Sequence, residues 1–94
     1  MDKQEAREIL NEVIARLRQR GYEDLRATLL GESETFEVVG ASGKRYQIET
    51  EAFWDAEEDG PIRVFAMVDD GGWRAFVPMS DSFIVGPDDS FVGD

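Results

Sequence analysis

Apolar residues in the first part of the chain recur with a helical period. Ala6, Ile9, Leu10, Val13, Ile14 and Leu17 stand three and four positions apart, which places them in one stripe along a helix. Asp2 followed by Glu5 has the spacing of a helix start: the first carboxylate accepts from the early amides and the second reaches back to close a capping box. Glu12 and Arg16 form an i,i+4 pair, Arg16, Arg18 and Arg20 suit the carboxyl end of the helix dipole, and Gly21 is placed to end the helix. The pattern predicts a helix over 3–20. Between Tyr22 and Leu30 it is divided, because Leu25 and Leu29 suit a short helix while Thr28-Leu29-Leu30 suits a strand. The reading there is irregular chain or one helical turn.

From Thr35 onward the period falls to two and turn residues punctuate it. Thr35–Val39, Arg45–Trp54, Ile62–Val68, Trp73–Val77 and Phe83–Val85 read as strands with short connections, hence as neighbours in an antiparallel sheet. A two-residue Asp70-Gly71 turn would set the register of its hairpin, with Val68 opposite Trp73, Ala66 opposite Ala75 and Val64 opposite Val77. That face, with Ile62 and with Tyr46, Ile48 and Trp54 from the preceding strand, is the one to be covered. The other face is mixed: Phe53, Arg63, Phe65, Met67, Arg74 and Phe76 beside Gln47, Glu49 and Glu51. The expected fold is α+β, an N-terminal amphipathic helix packed on one face of a roughly five-stranded antiparallel sheet. It forms a single domain over 1–94, with the sheet over about 35–85 and a C-terminal tail over 86–94.

Composition narrows the chemistry. A 94-residue chain with 41% hydrophobic residues has enough to bury for one core, so disorder is not expected. With no cysteine and no histidine, disulfides, thiolate or imidazole chemistry and the common zinc ligand sets are excluded. No cofactor is expected. The polar opening Met1-Asp2-Lys3-Gln4-Glu5 and the lack of a long apolar run point away from a signal peptide or membrane span and toward the cytoplasm.

The net charge of −11 is unevenly placed. Residues 1–30 hold equal numbers of acidic and basic side chains, so the whole excess lies in the sheet half. Such a surface repels nucleic acid and anionic membranes; it suits high solubility, a salt-adapted composition or a basic partner.

The mixed face is the candidate interaction surface, if the tail from Phe83 to Phe91 does not fold over it. Phe53, Phe65, Met67 and Phe76 with Arg63 and Arg74 have the composition of a protein-binding or dimer surface. Glu49 and Glu51, two apart on one strand face, are either cross-strand partners of Arg63 and Arg74 or paired carboxylates for acid/base work. Asp55-Ala56-Glu57-Glu58-Asp59-Gly60 matches the first half of a calcium loop, but Arg63 and Ala66 stand where later ligands are needed, so it reads as an acidic hairpin loop.

The strings Phe53-Trp54-Asp55, Ile62-Arg63-Val64, Asp69-Asp70-Gly71-Gly72-Trp73-Arg74-Ala75-Phe76-Val77-Pro78 and Ser82-Phe83-Ile84 resemble those of a family of small bacterial proteins known only as a domain of unknown function. The resemblance covers the C-terminal half and implies a recurring unit found alone, without an activity. Two functions are expected from the residues. The first is a non-enzymatic protein-interaction module, a homodimer or a binder of a basic partner of the immunity type. The alternative is a small-ligand binder or carboxylate enzyme on the same face.

Overall fold

A computed structural model of the chain describes residues 2–70 and 79–93. The stripe read from the sequence forms helix α1 (Lys3–Arg20), and Ala6, Leu10, Val13, Ile14 and Leu17 are buried along it. Each large apolar side chain of that stripe contributes roughly 1.5–3 kcal/mol by leaving water. The Asp2 carboxylate accepts from the Glu5 amide at 3.0 Å, so the predicted cap forms. Gly21 ends α1 with φ +84° and ψ 158°, a backbone region open in practice to glycine, and the chain turns directly into a second helix, α2 (Tyr22–Leu29).

That second helix corrects the expectation of irregular chain or one turn. Its first amide finds an acceptor far away in sequence: Asp89 Oδ1 takes the Tyr22 N–H at 2.8 Å. Tyr22, Leu25 and Leu29 are buried, and this apolar edge fixes the helix where propensity alone was divided.

Five strands follow: β1 (Ser33–Val39), β2 (Arg45–Trp54), β3 (Ile62–Asp69), β4 (Met79–Val85) and β5 (Phe91–Val92). They make one antiparallel meander in chain order. The fold is therefore α+β with the N-terminal helix against a five-stranded sheet. Strand β3 alternates without a break: Ile62, Val64, Ala66 and Val68 are buried and the residues between them half-buried. Tyr46, Ile48, Thr50 and Ala52 of β2 are buried on the same face, whereas Trp54 is only partly covered, with the Arg26 guanidinium over its ring.

One pairing differs from expectation. The strand read over Trp73–Val77 lies outside the described residues, but its predicted partner is already engaged. Val68 faces Met79 and Val64 faces Phe83, while β2 occupies the other edge of β3. The partner of Val68 thus stands six residues further along the chain than the tight Asp70-Gly71 turn implied. An even displacement keeps the side-chain parity, which is why the buried face of β3 was read correctly although its partner was not. Phe83 and Val85, both buried, anchor β4 in the core.

The tail also departs from one expected course. β5 extends the sheet beside β4, with Phe91 opposite Val85 and Val92 opposite Ile84. Phe83 and Phe91 meet edge to face on the helix side, with the Arg18 guanidinium 5.3 and 4.7 Å from their ring centroids. Among the described residues the tail does not fold over the mixed face.

Candidate interaction surface

Cross-strand partners share a face, so the register places the predicted residues directly. Phe53 stands opposite Arg63, Glu51 opposite Phe65, and Glu49 opposite Met67, all on the side away from the helices. The Phe53 and Phe65 rings meet edge to face at 6.0 Å, and Phe53 remains 48% exposed. Six of the eight predicted residues are thereby gathered in one patch. The other two, Arg74 and Phe76, lie outside the described residues.

The ion pairing expected within this patch does not form with Arg63. The Arg63 guanidinium turns to Asp55, 3.2 Å away at the end of its own hairpin. Glu49 and Glu51 instead face Met67 and Phe65, and among the described residues neither makes an ion pair. The reason lies in register: Arg63 is placed beside Phe53, beyond Glu51 along the strand. Two carboxylates thus stand beside an apolar strip with no counter-charge among the described residues. A depression of about 200 Å³ on this face is lined by Thr35, Gln47, Glu49, Met67 and Asp69, so Glu49 and Glu51 do not converge on one cavity.

The acidic hairpin loop is occupied otherwise. Asp55 takes Arg63, Asp59 takes the Arg26 guanidinium at 2.7 Å, and the Gly60 carbonyl accepts the Tyr22 hydroxyl at 2.7 Å. Among the described residues no cluster of metal-ligating side chains forms, and no helix is long and apolar enough to cross a membrane.

Glu5 plays a role that its spacing concealed. Its carboxylate accepts from the Ser42 hydroxyl at 2.6 Å, the Ser42 amide at 3.0 Å and the Tyr46 hydroxyl at 2.8 Å, tying α1 to the β1–β2 turn. Those donors, Ser42 first and then Tyr46, hold its pKa below the ordinary carboxylate value. Burial, and then the Glu5 carboxylate, push the Tyr46 phenol up to about 12. Gly40 permits this approach, because a Cβ there would stand 2.5 Å from Glu5 Oε1.

A second feature on the helix side had no counterpart in the sequence reading. α1 sits over β3 and β4, which leaves β1 uncovered and a cleft of about 260 Å³ between them. Ile9, Val13 and Leu17 form one wall, Phe36 and Val38 the other, and Thr50 is part of the lining between them. Thr50 is 1% exposed and its hydroxyl has no hydrogen-bond partner. Arg20 closes one end: Nε bonds Asp24 at 2.6 Å, Nη2 bonds Thr28 at 2.6 Å, and Nη1 lies 3.7 Å from Glu34. The alternation of Phe36 and Val38 was visible in the sequence, but where α1 would lie across the sheet was not.

No family model matches the chain, and neither a curated protein nor a solved structure matches it.

Proposed function

We propose that the protein is a non-enzymatic interaction module whose mixed sheet face docks a basic protein partner. The observation that carries this reading is the pair Glu49 and Glu51, which have no counter-ion among the described residues and stand in line with Phe53 on β2, opposite Met67 and Phe65. Aromatic and methionine side chains supply the apolar centre of such a surface, and unpaired carboxylates select a partner of opposite sign and speed its approach. Self-association through the same face is disfavoured, because it would bring further carboxylates toward Glu49 and Glu51 on a chain of net charge −11. An immunity-type role, in which the protein neutralises a basic target, fits this chemistry. A carboxylate enzyme fits less well, since the depression that holds Glu49 excludes Glu51 and Arg63.

The test uses the full chain as bait at low ionic strength beside two variants, Glu49→Gln/Glu51→Gln and Phe65→Ser. The expected result is a partner of high pI retained by the wild type, lost from both variants, and bound by the purified wild type with an affinity that falls as salt rises. Equal retention by the variants, or a dimer in sedimentation that Phe65→Ser disperses, would refute the reading.

A further inference from the structure

Among the described residues β1 is an edge strand, and its outer backbone borders the cleft. The phase of its ladder follows from the turn: the Gly40 amide bonds the Lys44 carbonyl at 2.8 Å, which makes that pair a hydrogen-bonded one. Bonded pairs alternate along an antiparallel ladder, so Val38, Phe36 and Glu34 also turn their backbone groups toward β2. Ser33, Thr35, Glu37 and Val39 then point their N–H and C=O groups outward. The strand is seven residues long and almost wholly exposed, with Phe36 at 42% and Val39 at 60%. Natural sheets blunt such an edge with charge, and here the charge has one sign: Glu32, Glu34 and Glu37 lie between Gly31 and Gly43, and no lysine or arginine does. Glu34 and Glu37 stand in long surface ion pairs, 3.7 Å from Arg20 and 3.9 Å from Arg45, which screen them little, so with Glu32 they still oppose a second copy of the strand and favour a basic one.

We infer that β1 accepts an extended basic segment of a partner protein as an added antiparallel strand, with its alternate apolar side chains inserted into the cleft beneath α1. The size of the cleft supports this occupant. The cleft, at about 260 Å³, falls below the roughly 300–1,000 Å³ usual for pockets that hold a whole small molecule, and it suits one or two side chains delivered from a backbone alongside. Side chains on the opposite face of the added strand meet Glu37 and Thr35, so an apolar/basic alternation matches both sides at once. The backbone edge and the cleft use neither Glu49 nor Glu51, although Thr35 is the cross-strand neighbour of Glu49 and so brings the added strand to the border of the docking face proposed above.

The phase of the edge gives a discriminating experiment. The probe is the synthetic heptapeptide Ac-Lys-Leu-Lys-Leu-Lys-Leu-Lys-amide, titrated into the full chain at low salt and followed by NMR. The outward residues of β1 carry their side chains on the face away from α1, so the directly bonded residues of an added strand are its lysines. The expected result is slowed hydrogen exchange at the amides of Thr35, Glu37 and Val39. N-methylation of the lysine amides should weaken binding about tenfold or more, since several ladder bonds are lost, while N-methylation of the leucine amides should leave it within about threefold. Thr35→Pro removes one outward amide without touching the β2 ladder, a substitution edge strands accept, and should abolish the protection while circular dichroism stays unchanged. Unchanged exchange at saturation, equal effects of the two methylation patterns, or shifts confined to Phe53, Phe65 and Met67 would each overturn the inference, and the last would do so while leaving the docking-face reading intact.

Discussion

Replacing Thr50 by valine should stabilise the protein. The residue is 1% exposed in β2, and its hydroxyl has no hydrogen-bond partner. A buried hydroxyl left unsatisfied costs about 1–3 kcal/mol relative to its hydrated state, and valine removes that group while keeping the β-branched shape. No cavity is created and strand propensity is retained, so no opposing penalty of similar size arises. At the lower end, about 1 kcal/mol, a domain of this length should gain about 4–8 °C in melting temperature, and the urea midpoint should rise at constant slope. Thr50→Ser is the control: it keeps the hydroxyl and deletes the methyl, and should lose roughly 1 kcal/mol. Thermal and urea unfolding of the three proteins side by side decide the matter. If Thr50→Val melts at or below the wild type, the hydroxyl is satisfied in solution and the reasoning is refuted.

Three further outcomes follow from the side-chain network. Because the folded pKa of Glu5 is depressed below its ordinary 4.5, its contribution to stability is complete above that value and is lost as pH falls through the folded pKa; Glu5→Gln should lower the melting temperature at neutral pH and flatten the acid limb of the stability–pH curve. Tyr46, pushed up from 10.0 to about 12, stays neutral in the folded state after the unfolded phenol has ionised, so its stability contribution should decline between those values; absorbance titration should show a late tyrosine that Tyr46→Phe removes. Asp89 holds the first amide of α2 while in a left-handed conformation, φ 67°, so Asp89→Ala should cost about 1 kcal/mol in urea unfolding and Asp89→Asn much less.

What could be read in advance divides by how far the deciding partner lies along the chain. α1 was legible to its boundaries because its cap, stripe and terminal glycine are all local. So was the alternation of β2 and β3. α2 was not, since the group that settles its first turn is Asp89, and local propensity between Tyr22 and Leu30 is balanced. β4 was half hidden: Met79-Ser80-Asp81-Ser82 has the composition of a turn, and only the pairing with β3 draws it into the sheet. Glu5 was read from its spacing as part of a capping box, whereas its carboxylate is spent on Ser42 and Tyr46. On the mixed face, alternation alone brought six residues together, yet the ion pair assigned to Arg63 does not form, because alternation fixes the face of a side chain and not its neighbour along the strand.

The distribution of charge explains why both proposed surfaces lie on the sheet. Cations of the helical half are largely consumed within the fold. Arg16 holds Glu12, Arg20 joins α2 and β1, Arg18 covers Phe83 and Phe91, and Arg26 bridges Trp54 and Asp59. These contacts use charge to fasten elements together, and they leave little net field over the helices. In the sheet half Arg63 is engaged with Asp55 and Arg45 lies 3.9 Å from Glu37, acids outnumber cations heavily, and among the described residues Glu49 and Glu51 have no ion-pair partner. Carboxylates on a flat face beside exposed phenylalanine are poorly placed to stabilise this chain by themselves. Both the face and the β1 edge combine apolar surface with an excess of acid, and the β1 edge adds outward backbone groups. A basic, apolar-alternating partner is the chemistry that complements each of them.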